Sequence, residues 1–315
     1  MTMGTLGAGR VGLKKLFGIE SDKVQKQYID IVGRVEKTRQ ASEIFKQYIG
    51  LGPSTVTNEG DTVDWDELSA LYVSNFKPLL YTKGMKFSIQ TEFTDQYGVI
   101  KNVTPRLARS FVHRRNLNVA DLDNSGFTTT ANGGKGYGMN SEALYSAGHN
   151  MGSSFGYNRP LAPGQSAGVS ATTMEVGFSP LGLEQAYTDI RKQKDARGMP
   201  MFPLGKLDVK VPAALLLPAQ RAIRSVQLAG SNVNDPNVLK DRFNDPKIID
   251  YYTSDIAWFV KASSPDEHGL FFLEQMPYDV FQLPMDAELM HKWAAYESWV
   301  FGWFDWHGTW GTQGQ

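Results

Sequence analysis

The spacing of apolar residues changes character several times along the chain. After Ser21, which reads as a helix N-cap, Val24, Tyr28, Ile31, Val32 and Val35 recur at helical spacing. Ile44, Phe45 and Tyr48 continue that stripe loosely until Gly50, Gly52 and Pro53 stop it. Between 62 and 93 the period drops to two: Val63 and Trp65 alternate with Thr62, Asp64 and Asp66, and Met85, Phe87 and Ile89 alternate with Lys86, Ser88 and Gln90. This predicts a long two-stranded excursion, which is marginal alone and needs a domain or a neighbour to lie on. Thr104 and Pro105 read as the cap and first-turn proline of a helix to about Leu122, with Leu107, Phe111 and Val112 on its apolar face. Arg106, Arg109 and His113 fall together on another face of that helix.

Ser179 and Pro180 repeat the device for a helix through Leu183, Tyr187 and Ile190, closed by Gly198 and Pro200. A βα unit is expected next: Ala214 to Leu217 as a buried strand, then a helix opened by Pro218 with Ala222, Val226 and Ala229 on its apolar side. Another apolar stretch runs from Ile256 to Val260. The end of the chain mixes strand and helix signals and holds five of the seven tryptophans, at 293, 299, 303, 306 and 310.

A length of 315 residues suits about two domains, or one with large insertions. With 32 basic and 33 acidic residues, the net charge of −1 argues against a disordered polyelectrolyte and against nucleic-acid binding by bulk charge alone. Local charge is uneven: residues 1–40 carry +4, residues 99–120 carry five basic and no acidic side chains, and residues 266–310 carry −7. The absence of cysteine removes disulfides, thiolate metal sites and a cysteine nucleophile. No apolar run approaches the roughly 18 residues of a membrane span, and no signal core is visible, so a soluble, unexported chain is expected.

Candidate chemistry is sparse. Gly7, Gly9 and Gly12 have dinucleotide-loop spacing, but only six residues precede them and none forms a strand pattern, so a flexible arm is the better reading. Asp121, Asp123, Ser125 and Gly126 begin like a calcium loop, yet Asn132 stands where a bidentate Glu is needed, which favours a helix C-terminal turn. The five histidines show no metal-ligand spacing, and no nucleophile elbow or phosphate loop appears; no cofactor or metal is expected. The C-terminal tryptophans could stack sugars or bases, but clustered tryptophans more often form core or interface. Arg106, Arg109 and Arg115 could contact phosphates without reading bases, or form a solvated face paired to acids.

The order of these features resembles the major capsid proteins of tailed bacteriophages, with the Hong Kong 97 type fold. The likeness runs from about residue 20 to the end. It rests on an arm, a long two-stranded E-loop returning through Tyr81-Thr82-Lys83-Gly84-Met85-Lys86-Phe87, and the acidic turn Thr94-Asp95-Gln96-Tyr97-Gly98. A spine helix follows at 104–122, then the segment Ala143-Leu144-Tyr145-Ser146-Ala147-Gly148-His149-Asn150. Gly198-Met199-Pro200, the Leu-rich Leu215-Leu216-Leu217-Pro218, the aromatic Ala257-Trp258-Phe259-Val260 and the closing Gly302-Trp303-Phe304-Asp305-Trp306 complete the match.

The resemblance implies an α+β chain with an N-terminal arm at 1–52, an E-loop hairpin at 53–92, a P-domain at 93–176, an A-domain at 177–265 and a return to the P-domain at 266–315. It implies a non-enzymatic subunit that self-assembles into hexamers and pentamers of an icosahedral head. The head would enclose nonspecifically held double-stranded DNA and be assembled in the bacterial cytoplasm. Val63, Trp65, Leu71 and Phe76 would then be contacts between subunits, and Arg106, Arg109 and Arg115 would face the DNA. Scaffold, portal and decoration proteins are admissible partners; a membrane is not. Two rival readings are an encapsulin-like compartment shell and, from another class, a carbohydrate-active enzyme using the Trp-rich C-terminus.

Overall fold

The computed structural model describes residues 22–315 except 53, 58–61, 68–69, 89, 91–98, 130–136, 139–141, 153, 202–204, 228–235 and 285–288. The Gly7 to Gly12 motif, the Thr94 to Gly98 turn and most of the glycine run after Asn132 lie outside the described residues.

The first helix, α1 (Gln27–Val32), buries Tyr28, Ile31 and Val32 but ends far short of the expected stripe. Gly33 stops it, with φ of 70° and its N–H donating to the Ile29 carbonyl at 2.8 Å, a left-handed closure that a side chain would strain. The chain then turns extended as β1 (Val35–Lys37) and β2 (Glu43–Tyr48). In β2 alternate residues are exposed, so the Ile44, Phe45 and Tyr48 spacing that reads as helical serves a strand instead.

The excursion has different arms from those expected. β2 pairs antiparallel with β3 (Ala70–Phe76), Glu43 opposite Phe76 and Tyr48 opposite Ala70, and the described residues between the two strands mark the far end of the ribbon. Val63 and Trp65 belong to that irregular end rather than to a strand. β4 (Leu79–Ser88) leaves the ribbon altogether and joins the main sheet.

The long helix α2 (Val99–Asn124) has 26 residues, about 39 Å, and begins before the Thr104 cap, so Pro105 lies inside it. Its 3.6-residue stripe buries Leu107, Ala108, Phe111, Val112, Val119 and Leu122. Leu107 and Phe111 pack on Tyr278, Val280 and Ala295 of the main sheet, whose order is β1-β10-β11-β4. Here β10 (Leu270–Leu283) and β11 (Met290–Trp303) form a long antiparallel hairpin, and β1 runs parallel to β10 over Phe272 to Glu274 only. Past that contact β10 is an edge, where Pro277 sits at a register shift without costing a ladder bond. β4 closes the other side, with Tyr81 stacked on Trp299 at 4.1 Å.

A two-stranded pair, β5 (His149–Asn150) and β6 (Phe155–Gly156), precedes α3 (Pro180–Arg191), which starts as expected: the Ser179 hydroxyl accepts from the Gly182 N–H at 3.0 Å. The βα unit is shifted upstream. Its strand is β7 (Leu207–Val211), whereas Ala213 to Leu215 make a 3₁₀ turn and α4 covers Leu216–Arg224. Pro212 ends the strand, and Pro218 falls in the first turn of α4, where its missing N–H is harmless. Val226 lies beyond α4 and is exposed. The second sheet has the order β12-β9-β7-β8, with β8 (Lys247–Ile248), β9 (Trp258–Ala262) and β12 (Thr309–Thr312). The C-terminal segment therefore serves both sheets, β11 the first and β12 the second.

Candidate assembly surface

The ribbon has two unlike faces. On the inner one Phe45 stacks on Phe271 at 4.5 Å and Phe304 at 4.9 Å, and Phe76 meets Phe271 edge-on at 4.8 Å. Phe76 therefore belongs to the subunit's own core, which corrects its expected place between subunits. Leu71 is half-buried. The outer face shows Ile44, Tyr48 and Val73, and the far end shows Val56, Val63 and Trp65, the last 84% exposed. Asp66 closes that end, accepting from the Gly52 N–H at 2.8 Å and from the Arg197 guanidinium at 2.5 Å, contacts that hold its carboxyl below the ordinary range.

The basic residues of α2 separate. Arg106, Arg109, His113 and Arg114 are exposed. Arg115 instead turns to the main sheet, reaching Glu297 at 2.7 Å and Glu274 at 2.9 Å beneath the Tyr28 and Phe272 rings. Glu297 is fully buried, and its second oxygen accepts from the Trp299 indole at 2.7 Å. Burial alone would lower the Arg115 pKa, but the two carboxylates outweigh it and drive it up. Arg115 is thus an internal tie, not part of a DNA-facing surface.

Sequence reading missed the polar ties of the core. Asp123, at the end of α2, accepts from Lys210 of β7 at 2.7 and 2.9 Å and from the hydroxyls of Tyr145 at 2.6 Å and Tyr252 at 2.5 Å. Asp123 and Lys210 are fully buried, and desolvation lowers the Lys210 pKa despite the carboxylate. Lys210 and Tyr252 lie 87 and 129 residues along the chain from Asp123, so no local spacing could have revealed this group. The calcium-loop reading fails here for a physical reason: the Asp123 oxygens are already taken by an ammonium and two phenols. Similarly, Asn158 gathers the Ser146 N–H, the Leu144 carbonyl, the Thr309 hydroxyl and His149 into one buried knot.

Among the described residues no group of three or more His, Asp or Glu is placed to hold a metal, and no helix is long and apolar enough to cross a membrane. Trp299, Trp303, Trp306 and Trp310 are all buried, so they form core and offer no stacking platform for a sugar.

No protein-family model and no curated protein matches the sequence. Solved structures do match the fold. The capsid of a native GTA particle aligns at a TM-score of 0.57 and 10% identity, over 91% of this chain and 90% of that one. The capsid of cyanophage P-SCSP1u aligns at 0.55 and 10% identity, over 88% and 85%. A virus-like particle from Pyrococcus furiosus aligns at 0.53 and 9% identity, over 95% and 97%. The chain shares the fold of these capsid chains, the Hong Kong 97 type.

Proposed function

We propose that this chain, folded as those shell subunits are, is a major capsid protein that assembles into hexamers and pentamers of an icosahedral phage head around double-stranded DNA. The observation that carries the reading is the ribbon: it holds Phe45 and Phe76 in the subunit's own core yet leaves Val56, Val63 and Trp65 in solvent at its far end. Solvent-exposed apolar residues gathered at the end of a ribbon are costly unless a partner covers them, and in a closed shell an adjacent copy does so. The role is structural, without catalysis. α2 presents Arg106 and Arg109 for nonspecific phosphate contact, and the virion, filled after assembly in the bacterial cytoplasm, is the location. Scaffold, portal and decoration proteins are compatible partners.

Negative-stain microscopy and sedimentation of the purified chain test this. Hollow particles of megadalton mass are expected, and a monomer or small oligomer under all assembly conditions would sink the reading. Nucleic acid protected inside particles from infected or induced cells separates a genome-holding head from a compartment that takes up protein cargo.

A further inference from the structure

Between the ribbon, the loop after α3 and the C-terminal corner lies a buried histidine with an oxygen facing each ring nitrogen. His307 Nδ1 is 2.5 Å from Asp305 Oδ1, and its Nε2 is 3.0 Å from the Lys194 carbonyl oxygen. A carbonyl only accepts. The same Asp305 oxygen also receives the His307 N–H at 3.0 Å and the Gln47 side-chain amide at 3.1 Å, so three donors converge on it and the shared proton belongs to the ring. An oxygen at each ring nitrogen suits the imidazolium, in which both nitrogens donate. Its face stacks on Trp306 at 4.0 Å, which favours a cation, and His149 also stacks on Trp306, at 4.4 Å, itself facing Glu142 and Asn158.

We propose that protonated His307 is a latch that joins β2 near the far end of the ribbon, through Asp305 and Gln47, to the loop after α3, and that loss of its proton frees the ribbon to change its angle to the body. The other charged group facing it is Asp195, in the same loop as Lys194, while Gln193 accepts the Gly308 N–H at 2.7 Å and keeps the corner in register. That loop also carries Arg197, whose bond to Asp66 fastens the far end of the ribbon, so the latch and the clip hold one ribbon at two places. Deprotonation leaves a ring lone pair pointing at an oxygen, and one of the two contacts must open. Burial lowers the His307 pKa, but Asp305 and the Lys194 carbonyl outweigh it and the result is a value above the ordinary imidazole range of about 6.5. The sign follows. The latch is complete below about pH 6.5 and is lost as pH rises through the elevated value.

The test is hydrogen exchange by mass spectrometry on the full chain, in whatever oligomer it forms, from pH 6 to 10 with intrinsic rates corrected. Protection of peptides covering 43–48, 193–200 and 305–309 should fall together by about tenfold with one midpoint above about 6.5, while 258–262 stays protected. His307→Gln, which cannot donate to both oxygens, should show the low protection at every pH. ¹⁵N-histidine spectra at neutral pH should contain one ring protonated at both nitrogens that is absent from the variant. A flat wild-type profile, an unchanged midpoint in His307→Gln, or a neutral ring at His307 would each overturn the proposal.

Discussion

The body and the ribbon of this chain follow opposite rules. In the body even the charges are internal: Asp123 and Lys210 are completely buried and matched to each other, and Arg115 is matched to Glu297. In the ribbon only the inward-facing side, with Phe45 and Phe76, is covered, and other apolar residues are external, Val56 at 95% and Trp65 at 84% exposure. A fold that can bury an ammonium has ample capacity to bury a tryptophan. The exposure of Trp65 thus reflects where the chain sends it, because the ribbon itself is already held to the body through Phe45, Gln47 and Asp66.

The contrast breaks most dramatically in the body. Lys210→Ala strands the Asp123 carboxylate, and Arg115→Ala strands Glu297; each is expected to cost about 3 to 5 kcal/mol in urea unfolding. Losses below about 1 kcal/mol would mean that these pairs are not the fully dry ties their burial indicates.

Replacing residues 49–69 with a short Gly-Ser linker probes the other side. The cut spares Phe76 and β4, which belong to the body. The urea midpoint of the subunit should stay near that of the wild type while shell formation, read by sedimentation, is abolished, since each lost apolar side chain is worth roughly 1.5 to 3 kcal/mol where fully covered. An unfolded product would place the ribbon's end in the protomer core after all.

Trp65→Ser sharpens the same point with one residue. Protomer stability should move by no more than about 0.5 kcal/mol, as for an exposed position, while the protein concentration needed for assembly rises. Unchanged assembly would remove Trp65 from the contact. Smaller still, Arg106→Ala with Arg109→Ala should leave folding intact and reduce the salt slope of DNA binding by up to about 1.8, for two phosphates at about 0.9 each. An unchanged slope would make that face merely solvated. EDTA should leave the melting temperature where it is, and a large drop would reveal a metal site.

Helix starts were legible where the signal was a cap: Ser179-Pro180 marks the beginning of α3 to the residue. They failed where a proline had two uses. Pro105 lies inside α2, and Pro218 follows two residues of α4 that read as strand because Leu215, Leu216 and Leu217 are apolar in succession. Short apolar runs do not distinguish strand from helix, and Pro212, not the leucines, carried the boundary.

Local patterning determined what local forces control: the amphipathic faces of α2 and α3, the extended character of 70–88, and the apolar residues that must be covered somewhere. Tertiary structure alone decided which strand pairs with which, because β4 has one alternation whether it lies beside β3 or beside β11. It also decided the roles of the ionisable groups. Asp123 becomes the partner of Lys210, and Asp305 becomes the acceptor that joins His307 to Gln47, only after chain closure brings residues from distant segments to one point. The energy of a charge depends on its nearest neighbours and its distance from water, and neither is written in the spacing of residues along the chain.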